Sequence, residues 1–127
     1  MIPDDVSARS PTASPPLAPT LAVVNARVWT ADPRRPWADA VVVRGDRLGF
    51  VGSGAEARKL TRGTPDVRVI DARGRFLASD VADFRPLHAG APADFVLADR
   101  DLTQFPAESG DVQLVLAVRG GRVVDER

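Results

Sequence analysis

The sequence predicts a mainly β protein, built as a small β-sandwich or partly open barrel with one short helix. About seven short runs are rich in β-branched residues and are bounded by turn residues, a pattern typical of strands in such folds. Only the stretch Gly54–Leu60 has the composition of a helix, and it is about two turns long. The chain has no internal repeat of about 20–50 residues, so a solenoid or propeller is not expected.

The length of 127 residues is sufficient for one domain preceded by a tail. Residues 1–19 contain five of the eleven prolines and several serines, and they have few of the large apolar residues that a core requires. We expect this Pro/Ser-rich tail to be disordered and residues 20–127 to form a single domain. Two segments, 21–77 and 90–125, are expected to build it, joined by a bridge at 78–89. A domain of this size buries roughly 60–70% of the surface of its unfolded chain, enough to fold alone.

Composition excludes several classes of partner and site. Lys and Arg total 17 and Asp and Glu total 17, so the formal charge is zero and neither nucleic acid nor an anionic membrane is expected as partner. The absence of cysteine excludes disulfides and thiolate metal sites. No apolar run approaches the roughly 20 residues of a membrane span. Asp4 and Asp5 open the chain and no apolar stretch follows, so no secretory signal is predicted and a cytoplasmic location is expected.

The strands are predicted from their composition and from the turns between them. They are Leu21–Thr30, Asp39–Arg44, Arg47–Gly52, Val67–Asp71, Ala93–Asp99, Val112–Arg119 and Arg122–Asp125, with a further extended piece that begins at Phe76–Leu77. Two junctions are tight, because Gly45-Asp46 and Gly120-Gly121 each join two β-prone runs, which indicates hairpins. Two prolines make residues 31–36 a loop, and residues 72–75 form a further turn.

One local pattern is similar to a dinucleotide-binding loop. Gly52-Ser53-Gly54-Ala55-Glu56-Ala57 fits G-x-G-x-x-[GA], it lies between a strand and a helix, and the next strand ends at Asp71. However, the helix is about half the length that would cover a parallel strand pair, and the preceding strand belongs to a tight hairpin. The glycines are therefore interpreted as turn residues that lead into a short connecting helix, and no nucleotide cofactor is predicted.

Six stretches carry a family resemblance through their residues and their order. They are Val23–Pro33, Pro36–Val43, Arg47–Gly52, Val69–Leu77, Gly90–Asp101 and Val115–Val124. They resemble the opening and closing segments of amidohydrolase-superfamily enzymes, most closely the amidohydrolase-3 type, which includes exoenzyme-regulating-protein-like hydrolases. In that family a metal-binding (β/α)8 barrel lies between the two sets of segments. The resemblance implies that this chain is the small composite β-sandwich of such an enzyme with the barrel absent.

The resemblance also indicates which chemistry is missing. In the family, a His-x-His pair, further histidines, usually a bridging Lys and an Asp hold one or two metals that generate hydroxide. This chain has the single histidine His88 and the single lysine Lys59, and none of the family's histidine ligands has a counterpart. Ser79-Asp80 resembles the Ser-Asp of the eighth barrel strand, so Asp80 is either a relic of that strand or an ordinary loop residue. No catalytic, metal-binding or cofactor-binding residue is predicted, and no cofactor is expected.

Two further sets of residues are assigned ordinary structural roles. Asp99-x-Asp101 begins like a calcium loop, but the glycine and the bidentate Glu of such a loop are missing at the required spacing. Trp29 and Trp37 are interpreted as packing anchors rather than as residues that stack on a ligand.

A hydrolytic triad is also not expected. Ser79, Asp80 and His88 are the residue types of such a triad, but neither Ser53 nor Ser79 lies in a G-x-S-x-G elbow. His88, between Leu87 and Ala89 in a predicted loop, is interpreted as a structural or solvated residue.

Three functions are consistent with these residues. The first is a barrel-less, metal-free amidohydrolase-like protein that is not an enzyme by itself and acts as a structural or interaction module. The second is an accessory subunit of a hydrolase of non-peptide C–N bonds, completed by a separate barrel chain. The third is a small-molecule binding module, for which a concave apolar pocket with converging polar groups would be the sign.

The resemblance leads to an expectation about partners. In the family one face of the sandwich is covered by the barrel, so its loss would expose apolar surface, and a patch of more than a few hundred Å² usually binds a partner. Self-association about a two-fold axis is the simplest solution, so a homodimer through that face is predicted. A separate barrel protein is the alternative partner.

Overall fold

A computed structural model describes residues 18–64, 66–79, 85–101, 103 and 113–126. Within these ranges the chain forms ten strands and one helix. Most of the predicted tail, 1–17, and Asp80 of the predicted bridge lie outside the described residues. No helix in the described ranges combines the length and the apolar character that a membrane crossing requires.

The strands form two mixed sheets. The elements in chain order are β1 (Pro19–Val24), β2 (Arg27–Trp29), β3 (Trp37–Ala38), β4 (Ala40–Arg44), β5 (Arg47–Gly52), α1 (Gly54–Thr61), β6 (Arg68–Asp71), β7 (Phe76–Ser79), β8 (Phe95–Ala98), β9 (Leu114–Arg119) and β10 (Arg122–Glu126). One sheet has four strands in the order β5-β4-β1-β6, and the other has six in the order β10-β9-β8-β7-β2-β3. Each sheet contains one parallel pair, β1 with β6 and β2 with β7. The mainly β sandwich with one short helix is therefore confirmed.

Three chain segments pass from the four-stranded sheet to the six-stranded sheet or back, and they do so side by side. The first leaves β1 and enters β2 at Asn25 and Ala26, the second changes sheet at Asp39 between β3 and β4, and the third does so at residues 72–75 between β6 and β7. We call these three bends the crossover. Two of the bends use left-handed backbone, with φ of 57° at Asn25 and 55° at Arg73, a conformation that asparagine adopts more readily than most residues.

Hydrogen bonds between the segments hold the crossover together. Four backbone amides donate to carbonyl oxygens across it, and the pairs are Ala72 to Val24 (2.9 Å), Gly74 to Asn25 (2.7 Å), Arg27 to Arg75 (2.8 Å) and Ala26 to Asp39 (2.9 Å). The Asn25 side-chain amide also donates to Asp71 Oδ1 at 3.2 Å, and the Arg73 backbone amide donates to the same oxygen at 2.9 Å. These hydrogen bonds provide partners for backbone N–H and C=O groups that the bends would otherwise leave unpaired at the ends of the strands.

The core lies between the two sheets, because alternate residues of every central strand point inward. Its buried members on strands are Leu21, Val23, Val28, Val41, Val43, Leu48, Leu77, Phe95, Leu97, Leu116 and Val118, joined by residues from the connections, among them Leu87 and Ala91. The other face of the four-stranded sheet is covered by α1, whose Ala57 is fully buried against Ala22, Ala40 and Val42. The helix thus closes the sandwich on that side.

The two halves of the chain meet in the six-stranded sheet. β7 ends the first half and β8 begins the second, and they pair antiparallel from Phe76 with Ala98 to Ser79 with Phe95. Residues 90–93 then run beside the first residues of β5, where the Leu48 amide donates to Ala91 at 2.8 Å and the Gly90 amide donates to Leu48 at 2.7 Å. The residues that follow the predicted bridge therefore link the six-stranded sheet to the edge of the four-stranded sheet.

Several predicted boundaries need correction. The single strand predicted at Leu21–Thr30 is two strands in different sheets, because the chain bends at Asn25. Trp37–Ala38, between the predicted loop 31–36 and the predicted strand Asp39–Arg44, forms a short strand of its own. The extended piece at Phe76–Leu77 is a strand that continues to Ser79, into the predicted bridge 78–89. With these additions the described ranges contain ten strands instead of about seven. Both predicted hairpins are antiparallel pairs, as expected.

The backbone conformation of Asn25 gives a first prediction. Replacement by Val should lower the free energy of unfolding by roughly 1–2 kcal/mol, because a β-branched residue is strained in left-handed backbone. Replacement by Gly keeps the conformation and removes only the side-chain hydrogen bond to Asp71, so its effect should be smaller. Urea unfolding of the two variants measures the difference, and an N25V variant as stable as N25G would contradict the strained bend.

The contact between the two hairpin turns gives a second prediction. A Cβ atom at Gly121, where φ is +79°, would lie 2.0 Å from the carbonyl oxygen of Gly45. G121A should therefore lower the free energy of unfolding by roughly 2–4 kcal/mol, through strained backbone and overpacking together. G120A is the matched control, because Gly120 also has positive φ but a Cβ there meets no atom within 4 Å. Equal destabilisation of the two variants in thermal unfolding would refute the close contact of the turns.

Candidate functional site

An aromatic surface lies on the outer face of the six-stranded sheet. Trp29 of β2 and Trp37 of β3 are directly paired across the strands, and their ring centroids are 5.0 Å apart at an interplanar angle of 58°. Phe76 of β7 meets Trp37 edge-on at 6.3 Å. The guanidinium carbon of Arg27 lies 4.8 Å from the centroid of the Trp37 ring. We call these four side chains the aromatic patch.

The patch is both anchored and exposed. Phe76 is buried and forms an outer-face cluster with Ala78, Val96 and Ala98, against which Trp29 packs. Trp37, in contrast, keeps 39% of its surface exposed. The interpretation of both tryptophans as packing anchors therefore describes Trp29 better than Trp37, which stacks on its neighbours with one side and meets solvent with the other.

A small cavity lies at one end of the six-stranded sheet, where β7 and β9 end and β8 begins. Ser79, Asp94 and Arg119 line it together with Arg85, and its volume is about 120 Å³. The strand pairing explains the grouping, because Phe95 is paired with Ser79 on one side and with Val118 on the other. The Gly120 amide donates to Asp94 Oδ1 at 2.7 Å, which fixes that carboxylate beside the end of β9. We call this the strand-end cavity.

A second, more open cavity lies beside the loop between β2 and β3. Thr30, Asp32, Arg34, Arg35, His88 and Leu87 are among the residues that line it. Thr30 is almost fully buried and organises the loop, since its hydroxyl donates to the Arg35 carbonyl and accepts from the Asp32 amide. Its carbonyl accepts from the Leu87 amide at 2.8 Å, which connects this loop to the last part of the predicted bridge 78–89.

The structure separates the residues that were considered as a triad. Ser79 is buried and lines the strand-end cavity, whereas His88 is exposed, lines the other cavity and has Nδ1 at 2.9 Å from the Ala89 carbonyl oxygen. Asp80 lies outside the described residues. The arrangement of His88 fits its interpretation as a structural or solvated residue.

The remaining candidate residues serve local structure. Asp99 accepts from the Gln113 amide at 2.9 Å, and Asp101 accepts from the Thr103 amide at 2.8 Å, so both carboxylates hold the chain near the β8–β9 connection. Lys59 lies exposed on α1. In the part of the chain that the structure describes, no three His, Cys, Asp or Glu side chains converge on a point where a metal could bind.

The dinucleotide-like stretch forms the connection that the sequence analysis favoured. Ser53 caps α1, and its hydroxyl accepts from the Glu56 amide at 3.2 Å. The strands on either side of the helix, β5 and β6, lie at opposite edges of the four-stranded sheet. A nucleotide-binding unit would place these strands closer together around its phosphate loop, so the glycines here turn the chain into a helix that covers a sheet face.

Among the described residues, the pKa is lowered below its ordinary range for two carboxyl groups, Asp71 at the end of β6 and Asp32 in the loop between β2 and β3. The backbone amide of Arg73, followed by the Asn25 side chain, lowers the pKa of Asp71. The backbone amide of Arg34 likewise lowers the pKa of Asp32. Hydrogen bonds to the ionised form favour it, so both groups stay charged at neutral pH and neither is suited to act as a general acid there.

Three arginines were not singled out from the sequence although they belong to these surfaces. Arg27 alternates with Val28 in β2 and so lies on the outer face with Trp29, which period-two reasoning could have indicated. Arg85 and Arg119 come from distant parts of the chain, and only the pairing of β7, β8 and β9 brings them to one cavity. No local pattern in the sequence predicts that these two arginines line the same cavity.

Comparison with known proteins gives distant and partial similarities. No family model and no curated protein matches the chain. An uncharacterized metal-dependent hydrolase from Pyrococcus furiosus is similar over 45% of this chain and 12% of its own, with 19% identity and a TM-score of 0.40. A protein from Bacillus thuringiensis is similar over 46% of this chain and 76% of its own, with 22% identity and a TM-score of 0.40. The chain thus spans about an eighth of the hydrolase, 12%, and the family resemblance of the sequence stays a prediction.

Proposed function

We propose that the chain is an amidohydrolase-like interaction module without catalysis of its own, and that it forms a homodimer through the aromatic patch. The observation that carries this proposal is Trp37, a large aromatic side chain that is held in place by its neighbours and is still 39% exposed. Trp and Arg are the side chains most often found at the energetic centre of protein interfaces. The patch combines both types.

The rigidity of the patch favours binding. Trp37 contacts Trp29 and Phe76, with ring centroids 5.0 and 6.3 Å away, and Arg27 lies over its ring. A side chain already ordered in the free protein loses little conformational entropy when a partner covers it. The patch is therefore prepared for an interface before the partner arrives.

The position of the patch supports a second copy as the partner. β3, which carries Trp37, is the last strand of the six-stranded sheet, so another molecule can approach the patch from the side. β7, which carries Phe76, is the strand after which the family resemblance would place the barrel. A two-fold axis beside the patch would bring the same residues of two chains together, and a formal charge of zero means that no net charge opposes their association.

The mass in solution tests the proposal. Light scattering on a sizing column should give twice the chain mass of 13.6 kDa. Trp37→Ser should shift the protein to the monomer, with the dimer dissociation constant raised by about 30-fold or more, since truncating an interface hot spot costs about 2 kcal/mol or more. Circular dichroism of the variant checks that the sandwich is retained.

Val124→Ser is the matched control. Val124 is 59% exposed but lies on β10, at the opposite edge of the six-stranded sheet from Trp37, so this variant should remain dimeric. A monomeric wild-type protein would overturn the homodimer. A W37S variant that dimerises as tightly as the wild type would show that the dimer interface does not involve the aromatic patch.

A further inference from the structure

A third cavity lies at the edge of the molecule, where β3 and the end of β5 meet. Arg35, Trp37, Asp39 and Gly52 are among the residues that line it. Trp37 belongs both to this cavity and to the aromatic patch. We call it the edge cavity, and through Trp37 it continues the proposed interface around the open side of β3.

The edge cavity presents two opposite charges next to the exposed tryptophan. Arg35 precedes β3 and Asp39 follows it, so each is two residues from Trp37, and both are exposed. In the part of the chain that the structure describes, neither of these two charged side chains makes a hydrogen bond or an ion pair. The Arg35 guanidinium lies over Gly52, since a Cβ atom there would be 3.3 Å from its Nη1. One cation and one anion are therefore available to a partner at this edge.

The backbone at the same edge offers a partner little. The Arg35 amide already donates to the Asp32 carbonyl at 3.0 Å. The Asp39 amide donates to the Gly52 carbonyl at 2.9 Å, and Pro36 has no amide hydrogen. Addition of a strand from a second molecule needs a row of free backbone groups along an edge. The orientation of a second molecule here must therefore be determined by side chains.

We propose that two reciprocal ion pairs fix the orientation of the homodimer, each between Arg35 of one chain and Asp39 of the partner subunit. This inference rests on the proposed function. In a two-fold interface every contact of one residue with another is repeated with the roles exchanged, so a surface that carries one charge of each sign can pair both. An orientation that placed the two Arg35 side chains together would bring like charges into contact, which is strongly unfavourable in an interface.

A mixture of two charge-reversal variants tests the ion pairs. Arg35→Asp and Asp39→Arg should each raise the dimer dissociation constant by about tenfold or more, because like charges would then face each other. Mixed together, the two variants should form a heterodimer in which both pairs again have opposite signs, with a dissociation constant within about threefold of the wild-type value. Native mass spectrometry identifies the heterodimer, and sedimentation measures the dissociation constants.

Arg122→Asp is the matched control for net charge. Arg122 is exposed on β10, at the opposite edge of the six-stranded sheet from β3, and its reversal changes the total charge of the chain as much as that of Arg35. R122D should dimerise as tightly as the wild type. Its mixture with D39R should not restore wild-type affinity, because one of the two pairs would still join like charges.

Neutral variants provide the same test if a reversed charge prevents folding, which circular dichroism detects. Arg35→Gln and Asp39→Asn each remove both ion pairs of the dimer, so each should raise the dissociation constant by about threefold or more. The double variant should dimerise no more weakly than the weaker single variant, since nothing is left to lose. Additive effects of the two changes would mean that the side chains are not partners and would overturn the proposal.

The outcomes separate this inference from the homodimer itself. A dimer that W37S disrupts but that R35D and D39R leave unchanged would overturn the ion pairs and leave the aromatic interface in place. Single variants that are weakened without recovery in the mixture would also overturn the ion pairs. A monomeric wild-type protein would overturn both proposals.

Discussion

The backbone hydrogen bonds of the crossover are the constraint on which the rest of this sandwich depends. At Asn25, Asp39 and residues 72–75, three neighbouring segments change sheet at the same level, and each bend provides donors or acceptors for the next. As a result the spatial order β4-β1-β6 in the four-stranded sheet matches the order β3-β2-β7 in the six-stranded sheet. The first half of the chain therefore aligns the two layers, and β8, β9 and β10 extend the six-stranded sheet.

This arrangement explains why the two candidate sites are where they are. β2, β3 and β7 leave the crossover together, and their outward side chains form the aromatic patch. The inward side of β7 continues to Ser79, where pairing with β8 and β9 gathers the polar ends of three strands around the strand-end cavity. One strand thus contributes to the aromatic patch and to the strand-end cavity on opposite faces of its sheet.

Features that depend on a few adjacent residues could be predicted from the sequence, whereas features that depend on residues far apart in the chain could not. The hairpin turns at Gly45-Asp46 and Gly120-Gly121 and the short helix that begins at Gly54 depend on a few adjacent residues, and they form as predicted. The division of Leu21–Thr30 was missed because both halves are equally β-prone. The only local sign of the bend is Asn25, one of the few residue types that tolerate its backbone conformation. The parallel pairs of β1 with β6 and of β2 with β7 join residues more than 40 positions apart, and no pattern within either segment specifies them.

The same distinction holds for the sites. Trp29 and Trp37 are conspicuous in the sequence, but the greater exposure of Trp37 follows from β3 being an edge strand, a property of the whole sheet. The residue types of a triad received no catalytic assignment on motif grounds, and in the structure Ser79 and His88 line separate cavities. Arg85 and Arg119 line one cavity because of the order of β7, β8 and β9 in the sheet. Neither the composition nor the spacing of the sequence specifies that order.

Native-state hydrogen exchange of the crossover amides tests the central claim most directly. Gly74 lies in an exposed turn, yet its amide donates at 2.7 Å to Asn25, and the Ala72 amide donates at 2.9 Å to Val24. If the crossover aligns the two sheets, both amides will exchange only through global unfolding, with the same free energy that denaturant titration gives. The Arg35 amide, which closes a surface turn by donating to Asp32, will exchange much faster. Exchange of Gly74 and Ala72 at the rate of Arg35 would show that the crossover opens locally and that the sandwich is held together elsewhere.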